Sequence, residues 1–184
     1  MNAMTTAIMR HVLWFNSMTF PLITRIWMGL LVGYLSLSVD VHAIKPNGMV
    51  IRVVDGDTIH VRDTAGDRKK IRLWGIDAPE IRQKNGALSG RFLAARIGGE
   101  PIHIQIVDTD RYGRLVANVY DQDGVYLNEQ MVQLGLAWVY PQYVNKTVAH
   151  WFDLQEAARR QGIGLWKEDG PTPPWVYRKT SKKK

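Results

Sequence analysis

Short strand-like segments separated by turn residues restrict the fold of this chain more than any other feature of its sequence. The segments are rich in β-branched residues or alternate apolar with polar residues, as half-buried strands do. Turn residues separate the first three segments, at Asp55-Gly56 and at Ala65-Gly66-Asp67. The predicted strands are residues 49–54, 58–62, 70–75, 102–107 and 115–120.

Three helices are predicted among and after these strands. The first, at residues 87–97, ends at Gly98-Gly99. The second runs from Asn128, a residue type that suits a helix N-cap, to residue 134, and the third occupies about residues 147–161. The order β-β-β-α-β-β-α-α is that of an OB-fold, a five-stranded Greek-key β-barrel. The predicted fold class is therefore α+β, mainly β, with about three α-helices.

Residues 1–43 differ from the rest of the chain and are interpreted as an export signal. An apolar run at residues 26–38 follows Arg10 and Arg25, and Ala43 is a small residue suited to a cleavage point. We expect cleavage after Ala43 and export to the periplasm or the extracellular space; Met18 offers a second possible start. The alternative is an uncleaved membrane anchor, although the apolar run is shorter than the ~20 residues that span a bilayer.

The rest of the chain is divided into a folded domain at residues 44–168 and a tail at residues 169–184 that is rich in proline and basic residues. The formal net charge of +7 favours polyanionic partners, nucleic acid first and an anionic membrane surface second. Many small exported proteins are basic without a specific reason, so charge alone does not decide. The absence of cysteine excludes a disulfide framework, thiolate metal sites and cysteine nucleophiles.

Acidic residues and arginines concentrate beside the predicted strands in two clusters. The first comprises Asp55-Gly56-Asp57-Thr58 and the segment from Arg72 to Glu80, and the second is Asp110-Arg111-Tyr112-Gly113-Arg114. Phosphodiester cleavage needs a hard cation held by oxygen ligands, arginine forks for the phosphate and a carboxylate that takes a proton from water. A sufficient set for that chemistry is Asp57, Asp77, Glu80, Arg72 and Arg114.

Each part of these clusters also has an ordinary structural interpretation. Asp-Gly-Asp is first of all a turn sequence, and it lacks the later ligand positions of an EF-hand loop. The acids at Asp77 and Glu80 could begin a helix, where negative charge is favourable. Arg111 to Arg114 could form a solvated hairpin corner.

Taken together, the segments VVDGDTI, IRLWGIDAPE and DRYGR resemble the thermonuclease (staphylococcal-nuclease-like) family. The resemblance covers residues 48–167 and includes NEQMVQLGLAWVY and the GLW at residues 164–166. The Pro-Pro-Trp-x-Tyr-Arg segment of the tail looks like that of bacterial exported members. The resemblance implies hydrolysis of DNA and RNA at the P–O5′ bond, with calcium as cofactor and 3′-phosphate ends as products.

The resemblance also implies a role for each matching residue. Asp57 and Asp77 would supply calcium carboxylates, with the backbone carbonyl of Ala78 as a further ligand, and Asp55 would support that site. Glu80 would be the general base, while Arg72 and Arg114 would stabilise the phosphate in the transition state. Arg111 and Tyr112 would contact a neighbouring phosphate or sugar.

The segment after Gly135 does not align cleanly with the family's base-stacking tyrosines, and it leaves Tyr140 and Tyr143 as open candidates. The expected partners are DNA and RNA, with single strands preferred. We expect a monomer with no stable membrane association unless the leader is retained. The alternative function is an OB-fold module that binds single-stranded nucleic acid without cutting it.

Overall fold

A computed structural model describes residues 45–143 and 148–181 of the chain. The predicted leader and its cleavage point at Ala43 lie outside these residues, as do residues 144–147 and 182–184. Within the described ranges, no helix has the length and apolar character that a membrane span requires.

Five strands form a closed barrel, which confirms the predicted OB-fold architecture. In spatial order the strands are β1 Gly48–Val53, β2 Thr58–Asp63, β3 Arg68–Leu73, β6 Leu115–Tyr120 and β5 Pro101–Thr109. Each strand pairs with the next, and β5 closes the barrel by pairing with β1. The pairing of β3 with β6 is parallel and the other pairings are antiparallel.

A second, two-stranded sheet was not predicted from the sequence. Its strands are β4, Ile76–Asp77, and β7, Trp138–Val139, which pair antiparallel. With only two residues each, these strands are too short to show the period of two by which strands are recognised. Because β4 follows β3 after a two-residue turn, this sheet fixes the chain immediately beyond the end of a barrel strand.

Four α-helices lie in the described residues, one more than the sequence predicted. They are α1 Gly86–Ile97, α2 Leu127–Gln133, α3 Trp151–Gln161 and α4 Pro174–Ser181. The additional helix is α4, which lies in the segment that was interpreted as a Pro-rich tail. Pro174 is compatible with α4 because proline is tolerated in the first turn of a helix. Helix α3 begins at Trp151, later than the predicted start at about residue 147, which lies outside the described residues.

The apolar core fills the barrel and continues under the helices. Inward-facing residues of the strands, such as Val61 on β2 and Ile71 on β3, are almost fully buried. Trp151 of α3 is fully buried and packs edge-on against Trp74, with ring centroids 5.9 Å apart. This contact joins α3 to the segment that leaves β3.

Asn128 does not cap α2, contrary to the prediction. Tyr126 occupies the cap position, and Asn128 lies inside the helix with no exposed surface. Its amide nitrogen donates to the carbonyl oxygens of Trp74 (2.9 Å) and Ala117 (3.1 Å), and its side-chain oxygen accepts from the backbone N–H of Val119 (3.0 Å). Asn128 therefore ties α2 to β6 and to the chain between β3 and β4.

Three turns share one arrangement, with the sequence Asp-x-x-Gly-x. In each, the aspartate Oδ1 accepts the backbone N–H groups of the residues two and four positions later. The glycine has a positive φ of 75–89°, which a residue with a Cβ adopts only with strain. The turns begin at Asp63, Asp110 and Asp121. The segment DRYGR, at residues 110–114, therefore forms a hairpin corner through hydrogen bonds between its own residues.

Replacing Asn128 by alanine is predicted to destabilise the fold by roughly 2–4 kcal/mol, because the Trp74 carbonyl and the Val119 N–H lose the side chain that bonds them, while the Ala117 carbonyl keeps only the Trp74 N–H. Urea unfolding measures the effect. The control is Gln133→Ala at the exposed end of the same helix, which should change stability little. An Asn128→Ala variant as stable as Gln133→Ala would show that the hydrogen bonds of Asn128 contribute nothing, because alanine favours the helix at both positions.

Candidate active site

Four chain segments deliver charged side chains to one cleft. The turn after β1 carries Asp55 and Asp57, β3 carries Arg72 near its end, the loop after β4 carries Glu80, and the corner before β6 carries Arg114. The cleft has a volume of about 740 Å³. Of the predicted site residues, those that line it are Asp55, Asp57, Arg72, Glu80, Arg111, Tyr112, Arg114, Tyr140 and Tyr143.

Arg72 links the two aspartates at the back of this cleft. Its Nη1 pairs with Asp57 Oδ1, and its Nη2 donates to Asp77 Oδ1 at 2.7 Å and to the carbonyl oxygen of Ile76 at 3.2 Å. Asp77 has no exposed surface and Asp57 only 3%, so both charges depend on pairing. A planar guanidinium that binds two carboxylates fixes their separation, which a lysine ammonium would not do.

Hydrogen bonds from other residues also hold Asp57 in place. Its Oδ2 accepts the backbone N–H of Ala78 at 2.7 Å, and its Oδ1 accepts the hydroxyl of Thr58 at 2.9 Å. The Oδ1 of Asp55 accepts the backbone N–H of Asp57 at 3.0 Å. Burial raises the pKa of Asp55, although the nearby Arg72 guanidinium favours its ionised form. Asp55 thus supports the turn that carries Asp57.

Arg114 is held in place from the hairpin corner. Its Nε donates to Asp110 Oδ2 at 2.6 Å, while Asp110 Oδ1 accepts the backbone N–H of Arg114 itself. Burial opposes ionisation of Asp110, but hydrogen bonds from Arg114 and Tyr112 outweigh it and lower the pKa of Asp110. The guanidinium of Arg111 lies 4.9 Å from the ring centroid of Tyr112, whose side chain is largely exposed.

Aromatic side chains form another part of the cleft wall. The rings of Tyr140 and Tyr143 have centroids 5.3 Å apart, and Tyr140 lies 5.6 Å from Trp175. Trp175 in turn packs edge-on against Trp138 at 5.9 Å. Both tyrosines line the cleft, so the choice between them as base-stacking residues stays open.

The comparison with protein families agrees with this geometry. The family described as staphylococcal nuclease homologue matches residues 70–168, more than half of the chain. The chain belongs to this family. The matched range starts within β3, so it includes Arg72, Asp77, Glu80 and Arg114 but not the turn that carries Asp57.

Three relatives of this staphylococcal nuclease homologue extend the match. A protein named "Uncharacterized endonuclease" from Escherichia coli O157:H7 is 42% identical over 144 residues, which covers 77% of this chain and 88% of the relative. A "Micrococcal nuclease" from Shigella flexneri is 36% identical over 146 residues (73% and 82%). An "Uncharacterized endonuclease" from Haemophilus influenzae is 35% identical over 133 residues (72% and 73%).

Alignments that cover at least 72% of the chain necessarily include the whole stretch from Asp55 to Arg114. The similarity to these relatives therefore includes the turn before β2 as well as the segments that carry Arg72, Glu80 and Arg114. The family and the names of the relatives agree on the type of reaction. This staphylococcal nuclease homologue is a nuclease, a hydrolase that acts on nucleic acid.

The donor atoms around Arg72 are of the kind that a hard divalent cation prefers. Within residues 45–143 and 148–181, no group of three or more His, Cys, Asp or Glu side chains is gathered as a metal site. Asp57 and Asp77 nevertheless face one cationic group, since a single guanidinium contacts both. Calcium takes six to eight oxygen ligands, and carbonyl groups and water routinely complete the set. The carboxylates of Asp57 and Asp77 and the backbone of Ala78 thus offer oxygen ligands of the type that calcium binds.

The structure brings the predicted residues together and adds one that sequence reasoning missed. Arg178 of α4 donates from Nη1 to Glu80 Oε1 (2.9 Å) and Asp77 Oδ1 (3.1 Å), and from Nη2 to Asp77 Oδ2 (2.7 Å). The bond to Asp77 is the main cause of a raised pKa of Arg178, and the bond to Glu80 adds to it against partial burial. The Pro-Pro-Trp-x-Tyr-Arg segment carried the signal, but sequence reasoning interpreted it as a tail.

Gly56 lies between the two aspartates of the turn and is packed too closely for a larger residue. A Cβ at this position would lie 2.5 Å from the Cβ of Ser89 and 2.7 Å from the Cβ of Ala78. These neighbours are anchored to the backbone and cannot rotate away. We predict that Gly56→Ala destabilises the protein by about 1–3 kcal/mol in urea unfolding, because the turn must move.

Gly48→Ala is the matched control for this prediction. Its Cβ would approach only the terminal Cδ1 of Ile104, at 2.7 Å, which a rotamer change relieves. A Gly48→Ala variant that loses as much stability as Gly56→Ala would show that close packing at the turn is not the cause.

Proposed function

We propose that this nuclease hydrolyses phosphodiester bonds of both DNA and RNA in a calcium-dependent reaction that leaves 3′-phosphate ends. The observation that carries the proposal is the Arg72 link between Asp57 and Asp77 beside a cleft that also presents Glu80 and Arg114. Two buried carboxylates held at one position suit a divalent cation, and the arginines around them suit a phosphate.

The cation would be held by the carboxylates of Asp57 and Asp77 and the backbone carbonyl of Ala78. When bound, calcium supplies positive charge next to the phosphate and favours the developing negative charge of the transition state. Arg114 binds the non-bridging phosphate oxygens through the Nη atoms that its bond to Asp110 leaves free, and Arg72, whose Nη atoms hold the two aspartates, adds positive charge that stabilises the phosphate in the transition state. Asp110 keeps the Arg114 fork pointing into the cleft, and Asp55 keeps the turn of Asp57 in shape.

Glu80 is the residue that takes the proton of the attacking water. Its side chain is partly exposed at the cleft, unlike Asp77, so water reaches it. The water oxygen forms a bond to phosphorus, the P–O5′ bond breaks, and the 5′ oxygen leaves as a hydroxyl after it gains a proton. Each cut therefore consumes one water and yields a 3′-phosphate and a 5′-hydroxyl.

The cleft suits unpaired nucleotides. Arg111 and Tyr112 lie at its exposed corner, where they contact the neighbouring phosphate or sugar, and a tyrosine of the pair Tyr140 and Tyr143 stacks on a base. Backbone phosphates occur in DNA and RNA alike, and arginine forks do not distinguish the two. A single-strand preference follows from stacking, because bases in a duplex are already stacked.

We further propose that the protein acts as an exported monomer. The support is the leader-like segment at residues 1–43 with its small residue at Ala43. Cleavage there places the nuclease in the periplasm or outside the cell. The net positive charge then increases the rate of encounter with nucleic acid and makes its affinity sensitive to salt.

The proposal is tested by incubating single-stranded DNA and RNA with the protein, in calcium and separately in excess chelator, and analysing the ends. We expect cleavage of both substrates in calcium only, with 3′-phosphate ends.

Glu80→Gln should lower the rate by about 10²–10⁴-fold while DNA binding persists, since the amide cannot take a proton. Glu156→Gln on the exposed face of α3 is the control. Binding without cleavage by the unmodified protein would refute the proposal.

Asp110→Asn tests the role of the hairpin corner. The asparagine side chain still accepts both backbone N–H groups, so the turn persists, but its amide nitrogen cannot accept the Arg114 Nε–H. We expect cleavage to fall by about 10–100-fold, because a displaced guanidinium no longer matches the transition state. Asp63→Asn, in the equivalent turn between β2 and β3, should leave the rate unchanged. Similar rates for the two variants would remove Asp110 from the mechanism.

A further inference from the structure

The C-terminal helix is docked beside the active site by contacts that do not involve Arg178. The side-chain amide of Gln83 donates to the carbonyl oxygen of Thr172 at 2.6 Å. Trp175 packs against Trp138 and Tyr140, which are anchored through β7 and the chain that follows it. Lys84 pairs with Glu168 at 2.7 Å. The helix therefore rests on the loop that follows Glu80 and on the aromatic wall of the cleft.

The docked helix places the guanidinium of Arg178 against the predicted cation ligand, Asp77, and the predicted general base, Glu80. Asp77 and Glu80 are three residues apart, and Arg178 makes three hydrogen bonds that span them. A guanidinium is planar and rigid, so bonds from one such group fix the relative placement of the two carboxylates. Without Arg178, Asp77 would keep its bond to Arg72, whereas Glu80 would lose its only side-chain ion pair among the described residues.

The placement of Arg178 leaves room for a cation on the same carboxylates. A carboxylate has about four acceptor positions. Among the described donors, Asp77 Oδ2 accepts only from Arg178, and Asp57 Oδ2 accepts only from Ala78. Each aspartate thus keeps an acceptor position on one oxygen while Arg178 remains bound. The arginine also offsets part of the negative charge that Asp57, Asp77 and Glu80 bring together.

We propose that Arg178 is a positioning residue of the active site. It orients the Asp77 carboxylate for the cation and the Glu80 carboxylate for the attacking water, so that α4 completes the site. The inference rests on the proposed function, because it assigns Arg178 a role through Asp77 and Glu80. It predicts that calcium affinity and turnover both depend on a residue close to the C-terminus that touches neither the phosphate nor the reacting water.

The test uses the full chain with Arg178→Ala, Arg178→Lys and the control Lys179→Ala, which removes a charge from the exposed face of the same helix. Three quantities are measured: the thermal unfolding midpoint, calcium binding by calorimetry without substrate, and kcat and KM on single-stranded DNA. For Arg178→Ala we expect calcium affinity and kcat each to fall by about 10–100-fold at nearly unchanged KM, the range for residues that orient metal ligands. Arg178→Lys should be intermediate, because an ammonium cannot bind both carboxylates as a fork.

The possible outcomes separate this inference from the proposed function. Tighter calcium binding by Arg178→Ala would show that the arginine competes with the cation, and a raised KM at unchanged kcat would make it a substrate-binding residue. Either result overturns the assignment, as does a variant that matches Lys179→Ala in every measurement. If Arg178→Ala does not fold, Arg178→Lys carries the same comparison. An unmodified protein that neither binds calcium nor cleaves DNA would refute the proposed function, and this inference with it.

Discussion

The buried ion-pair network around Arg72 is the interaction on which the rest of the site depends. Asp57 comes from the turn after β1, Arg72 from β3 and Asp77 from β4, and one guanidinium holds all three segments together. Breaking a buried pair by removing one partner costs about 3–5 kcal/mol, because the remaining charge is left without compensation. The same network thus fixes the positions of the two carboxylates that we propose as cation ligands. In that proposal, the three side chains that stabilise this region are also the ones that carry its function.

The strands and turns could be predicted from the sequence because they depend on interactions between residues that are close together in the chain. The Asp-x-x-Gly turns and the β-branched segments between them specify the five barrel strands, because each turn builds its own hydrogen bonds from nearby atoms. The three motifs of the family resemblance then placed the acids and arginines on matching elements, and these residues meet at one cleft. Asp77 does not line the cleft itself, because it is paired with Arg72 and Arg178 and has no exposed surface.

The features that were missed all depend on contacts between distant parts of the chain. Asn128 has the residue type of an N-cap, yet tertiary hydrogen bonds to Trp74, Ala117 and Val119 outweigh that local preference. Strands β4 and β7 are too short to show a period, and they pair across more than sixty residues. Helix α4 follows a Pro-rich stretch that is typical of a tail, and only its docking against Gln83, Trp138 and Tyr140 brings Arg178 to Glu80. A basic, proline-containing C-terminus can therefore carry a helix that contacts Asp77 and Glu80.

The proposed calcium site at Asp57 and Asp77 can be observed in a crystal structure of the protein grown with calcium, with the ion identified by its anomalous scattering. We expect an ion that contacts one oxygen of each of these carboxylates, with Arg178 still bound to Glu80. An ion elsewhere on the protein, or none between the two aspartates at a calcium concentration that supports full cleavage, would contradict it.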